Sequence, residues 1–190
     1  MKKYIREFYD SMRSSIPLIL LLVVASAVCG FVYEVLFYRI DQGRWINRGT
    51  TFGPWIPIYA IGGLLMAFST FKLRQNRHPI LIFLMSGLVC GVLELIAGWI
   101  LLRFFNMRLW DYNKEIWNFG NIGGFICARS VLIFAVFGLL QNYAMIPTLL
   151  SAEKKFGGKA FNCVCIVLFS LFILDVLVSL FVSRASVMAV

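Results

Sequence analysis

An all-α, polytopic membrane bundle of about five transmembrane helices is the fold that three observations predict. Hydrophobic residues make up 61% of the 190-residue chain and the mean hydropathy is +0.84, against roughly 45–50% apolar residues in soluble domains. Five apolar segments, 16–38, 55–71, 80–102, 122–143 and 161–182, approach the length of about 20 residues that a helix needs to cross the hydrocarbon. All five tryptophans (Trp45, Trp55, Trp99, Trp110 and Trp117) fall in or beside the two loops that follow the first and third segments, where interfacial rings are expected.

Residues 1–15 place Tyr4, Ile5, Phe8, Tyr9 and Met12 at near-helical spacing among basic residues, so this segment is expected to lie along the inner membrane surface. The first apolar segment contains an Ala25-Ser26-Ala27 triplet that imitates a secretory cleavage site. Its apolar run continues to Phe37, longer than a signal peptide needs, so it is read as a span. The second segment is short, and Pro57 suits its first turn, where a missing N–H costs nothing. Asn121 is expected to cap the fourth segment. Residues 184–190 are expected to form a short outer tail.

The formal charge is +9, which raises the question of nucleic acid. The basic residues are distributed by side of the membrane and not along one stripe, so nucleic acid is excluded as a partner. Lys2, Lys3, Arg6 and Arg13 precede the first span, Lys72, Arg74 and Arg77 follow the second, and Lys154, Lys155 and Lys159 follow the fourth. By the positive-inside rule these are cytoplasmic. The expected arrangement is a multi-pass protein of the cell membrane with a cytoplasmic N-terminus and the lipid bilayer as its first partner. Cys29, Cys90, Cys127, Cys163 and Cys165 all lie in apolar spans and read as small packing residues, not as disulfide or metal partners.

The domain expected is a single one, 16–183, in which 16–78 and 79–143 form a tandem repeat of helix pairs and 161–182 an extra helix. Cys29-Gly30 matches Cys90-Gly91 and Ile61-Gly62-Gly63 matches Ile122-Gly123-Gly124 at one common offset. Two such copies keep the same orientation and would be related by an axis along the membrane normal. The loops inside the copies, 44–59 and 108–119, are rich in residues that bend backbone or favour interfaces, so they are expected to fold back over the mouth of the bundle in a re-entrant-like manner.

Within the first and third spans, a glutamate follows small residues at helical spacing: Ser26, Gly30 and Glu34, then Gly87, Gly91 and Glu94. An ionised carboxylate in hydrocarbon costs about 2.5–3.5 kcal/mol on insertion scales, so its presence points to a use. The spacing puts each set on one helix face. The two small-residue faces are expected to pack on each other and bring both glutamates inward. Arg129 in the fourth span is the available counter-charge, and Asp111, Asn47 and Arg48 would stand at the mouth. Asp175 in the fifth span is a separate intramembrane acid, expected to pair with a polar residue of another span.

The ordered set Glu34; Asn47, Arg48, Gly49; Gly53 through Tyr59; Glu94; Trp110, Asp111, Tyr112; and Asn121, Gly124, Ile126, Cys127 resembles the CmpB-like family of type IV ABC-transporter permeases over roughly residues 25–140. The chain departs from that pattern in one place, since Phe125 stands where an arginine usually follows the glycine of the last cluster. Arg129, one turn further on, would take that place. The resemblance implies a permease-like subunit with a separate cytoplasmic ATPase.

No catalytic or metal-binding motif and no cofactor site is found. Gly157-Gly158-Lys159-Ala160 lacks the leading glycine, the closing Ser or Thr and the preceding strand of a phosphate-binding loop. His78 stands alone before Pro79. The reading is therefore a transport component for a small solute or ion, with a homodimer as the minimal permease. The alternatives are a membrane enzyme acting on a lipid or lipid-linked substrate, or a sensor or assembly subunit without chemistry.

Overall fold

The computed structural model describes residues 16–47, 49–75, 78–156 and 158–182. The expected amphipathic segment 1–15, the tail 184–190 and Arg48 lie outside the described residues. Five long helices account for most of the rest: α1 (Ile16–Gln42), α2 (Pro57–Gln75), α3 (Pro79–Phe105), α4 (Ala128–Phe156) and α5 (Lys159–Phe181). All but α2 are long and apolar enough to cross a membrane. The exception ends in Ser69, Thr70, Lys72 and Arg74, which shorten its apolar stretch.

Pro57 opens α2 and Pro79 opens α3, each at a position where the absent N–H has no intrahelical partner to lose. Asn106, left-handed at φ 51°, ends α3, and the N–H of Met107 returns to the Leu101 carbonyl at 3.1 Å, a closure of the Schellman kind. The fourth span begins later than its hydropathy implies. Residues 122–127 form a turn, with an antiparallel bridge between Ile122 and Ile126 and positive φ at Gly123 and Gly124. The helix starts at Ala128, capped by Cys127 in place of the expected Asn121. Arg129 is thus its second residue and lies at its N-terminal end. The matched Ile-Gly-Gly triplets accordingly differ in structure, since Ile61-Gly62-Gly63 is helical.

Helix α4 changes register in its middle: Gln141–Met145 is a π turn, followed by Ile146–Phe156. Pro147 follows that turn, and a proline ring inside an α-helix collides with the carbonyl four residues earlier. The wider π turn before it relieves that crowding.

The chain forms two compact units, 1–64 with 146–190, and 65–145. In the first, Val23, Val24 and Ala27 of α1 pack with Ala60 of α2 and Phe172 of α5, and Trp55 meets Phe172 edge to face. In the second, α3 buries the stripe Ile82, Ser86, Gly87, Cys90, Gly91, Glu94 and Gly98, which recurs at helical spacing, and packs it on α4.

The small residues of α1 and α3 each have a close neighbour. Each face is filled from within its own unit. Ser26 is buried and Gly30 lies directly beneath the Tyr59 ring, leaving no room for a Cβ. A Cβ on Gly87 would stand 3.1 Å from the Val131 carbonyl and 3.3 Å from Ala135, and one on Gly91 3.2 Å from Ile126. Small residues announce a close neighbour without saying which one.

Candidate functional site

In the first unit, the Tyr59 hydroxyl donates to Glu34 Oε1 at 2.7 Å. The contact follows from Gly30, whose bare backbone lets the Tyr59 ring lie across α1 one turn before the glutamate. The loop leading to α2 is folded by its own side chains. Asn47 Oδ1 accepts the Gly49 N–H at 3.1 Å, and the Thr51 hydroxyl donates to the Trp55 carbonyl at 2.7 Å. Asn47 thus serves to shape this turn. Asp175 of α5 accepts from the N–H of Phe52 (3.1 Å), the N–H of Gly53 (2.7 Å) and the Trp55 indole (2.6 Å). Its partners are loop backbone, an indole and, at 3.5 Å, the Ser179 hydroxyl of its own helix, and not the polar side chain of another spanning helix.

The second unit holds the denser arrangement. Glu94 is 6% exposed and Tyr112 8%, and the Tyr112 hydroxyl donates to Glu94 Oε1 in a short hydrogen bond. The Arg129 guanidinium lies over the Tyr112 ring, 5.2 Å from its centroid, and Arg129 Nη2 donates to Glu115 Oε2 at 2.5 Å. Arg129 and Glu115 side chains are 10% and 7% exposed. Tyr112 therefore touches Glu94 through its hydroxyl and Arg129 through its face.

The loop that carries Tyr112 is a built structure. Asp111 caps a 3-10 turn, Tyr112–Lys114, by accepting the Asn113 N–H at 3.2 Å. The Tyr112 N–H reaches the Gly124 carbonyl at 3.0 Å, Asn118 Nδ2 the Tyr112 carbonyl at 3.0 Å, and the Trp110 indole the Phe125 carbonyl at 2.9 Å. Asn121, expected as a helix cap, accepts the Gly124 N–H at 2.8 Å. Gly124 is left-handed at φ 78°, and a Cβ there would collide with Asp111, Arg108 and Asn113, so glycine is required on two counts.

Asp111 stands at the edge of this loop, paired with Arg108 at 2.8 Å and more loosely with Lys114 at 3.9 Å. Partial desolvation pushes its carboxyl upward. The Asn113 side chain and N–H, with the Arg108 and Lys114 charges, outweigh that and hold it below the usual carboxylate range.

Of the residues singled out by sequence, Glu94, Arg129 and Asp111 belong to this loop and its two helices, while Glu34 and Asn47 belong to the other unit. Tyr59, Tyr112 and Glu115 complete the arrangements and were not singled out as site residues. The signal for Glu115 was available, because an arginine at a spanning helix terminus needs a counter-charge and the preceding loop supplies one. Among the described residues, no group of His, Cys, Asp and Glu is placed to hold a metal ion. The profile of the family described as "Putative ABC-transporter type IV" matches residues 21–180. Neither the curated proteins nor the solved structures contain a match.

Proposed function

This chain belongs to the type IV ABC-transporter family, and from that premise we propose that it is the permease-like subunit for a small solute or ion. The observation that carries the reading is the buried Glu94–Tyr112–Arg129–Glu115 array, held by a folded loop at one end of two spanning helices. A polar array there is costly to bury. It offers a substrate both an anionic and a cationic group without exposing either to hydrocarbon. Asp111 and Arg108 at the edge of that loop would meet the substrate first.

In this proposal the N-terminus is cytoplasmic, as the positive-inside rule has it. ATP is hydrolysed by a separate subunit, and two copies of the chain form the smallest complete permease. Affinity purification of the full-length chain from its native membrane tests the partnership. A stoichiometric cytoplasmic ATPase is expected, and ATPase-free protein that turns over a lipid would refute it. The site is tested by Glu94→Gln in the reconstituted complex, where loss of solute-stimulated ATP hydrolysis is expected with assembly intact.

A further inference from the structure

The chain passes between its two units at two places only, between Leu64 and Leu65 within α2 and between Met145 and Ile146 within α4. Both crossings fall where a helix is locally weak. Gly62 and Gly63 immediately precede the first, and a glycine in a helix interior costs about 0.5–1 kcal/mol relative to alanine. The π turn Gln141–Met145 ends at the second, with Pro147 just beyond. Glycine pairs, prolines and π turns are the identifiable causes of sharp helix bends.

A buried hydrogen-bonded link sits beside both crossings, inside the second unit. Asn142 Nδ2 donates to Thr70 Oγ1 of α2 at 2.9 Å and to the Gly138 carbonyl at 2.8 Å, and Thr70 donates in turn to the Met66 carbonyl at 2.6 Å. Thr70 and Asn142 are fully buried. The Asn142 amide gives the Gly138 carbonyl a second donor beside the Gln141 N–H, where α4 changes register. The same amide ties α4 to α2, so a bend at one crossing is felt at the other.

We propose that Gly62–Gly63 and the Gln141–Met145 turn are a coupled pair of hinges about which the two units reorient, with Asn142 and Thr70 as the pin. Hinges are a few residues, often small, that absorb a dihedral change. The inference stands on residues separate from the proposed solute site, so either can fail alone.

The test uses the full chain in lipid nanodiscs, with exposed Cys163 replaced by Ser and spin labels on Gln42→Cys in one unit and Met107→Cys in the other. The expected interspin distribution is broad or bimodal. Gly62→Ala with Gly63→Ala is expected to remove one component, and Asn142→Leu to shift the balance between components. A single narrow peak before any hinge substitution overturns the proposal. So does an unchanged distribution in hinge variants that still show a cooperative thermal transition. If the glycine pair does not tolerate methyl groups, deletion of Ala144, which returns the turn to α register, reads the second hinge by the same criterion.

Discussion

Arg129 and Glu115 are the pair through which the buried array is best tested, because their burial decides the size of the effect. Exposed ion pairs contribute about 0.2–1 kcal/mol in mutant cycles. Here the contact is 2.5 Å and the side chains are 10% and 7% exposed. Coulomb's law at an effective dielectric of 20 gives an upper bound near 7 kcal/mol at that distance, before the desolvation of both ions. Removing one partner strands the other, at about 3–5 kcal/mol. For a chain of this size about 2–4 °C of Tm accompanies each kcal/mol, so Arg129→Met and Glu115→Gln should each lower the melting temperature by about 6–20 °C. The double variant should melt close to whichever single is better, since the charge is balanced again. The assay is thermal unfolding of detergent-solubilised protein followed by tryptophan fluorescence, closed as a double-mutant cycle. Contacting groups couple by about 0.5–3 kcal/mol and distant ones add. Additive losses would show that the two groups do not share one buried interaction, and the array would dissolve into separate snorkelling charges.

Three further outcomes are expected. Asp175→Leu strips a charged acceptor from Phe52, Gly53 and Trp55, each such bond being worth about 1.5–3 kcal/mol, so hydrogen exchange at the Phe52 and Gly53 amides should quicken, with Asp175→Asn intermediate. Unchanged exchange would mean that the loop holds itself. Gly138→Ala should destabilise by about 1–3 kcal/mol through overpacking, because its Cβ would enter the space of Ser86, and Ser86→Gly in the same chain should recover most of the lost melting temperature. The folded-state pKa of Asp111 lies below its ordinary value, so its contribution to loop order is full above the unfolded carboxyl pKa and fades as pH falls through the folded one. Protease nicking of the 106–127 loop should therefore rise only in acid, and Asp111→Asn should flatten that dependence.

The helices were legible because a membrane imposes length and apolarity on any segment that crosses it, and no tertiary contact can override that. Where hydropathy misled, conformation was the reason. Residues 122–127 are apolar enough to extend the fourth span, yet Gly123 and Gly124 take positive φ and turn the chain before the helix begins. Glu94, Arg129 and Asp111 could be singled out since charge near hydrocarbon is conspicuous in any sequence. Their partners could not. A tyrosine near an interface reads as part of an aromatic belt, so nothing in the string distinguishes Tyr112, aimed at Glu94, from an ordinary anchor. Two of the donors to Asp175 are the main-chain N–H groups of Phe52 and Gly53, far off in sequence, and backbone donors have no sequence signature. The π turn had one faint sign, Pro147 inside an otherwise helical run.

The two units use one chemical device with different settings. In each, a long apolar helix carries a glutamate after a glycine, and a tyrosine from the following segment donates its hydroxyl to it. The phenol lowers the cost of burying the carboxylate in both. In the first unit the tyrosine is part of a helix and lies on Gly30, so the donor is fixed by helix packing and Glu34 stays half-buried. In the second the tyrosine is held by a folded loop, its ring is covered by Arg129, and the glutamate is sealed at 6% exposure. The deeper carboxylate is thus the one whose donor depends on the loop's order. Any movement of that loop moves Tyr112 against Glu94 and Arg129 together, whereas Tyr59 moves only with the helix that carries it.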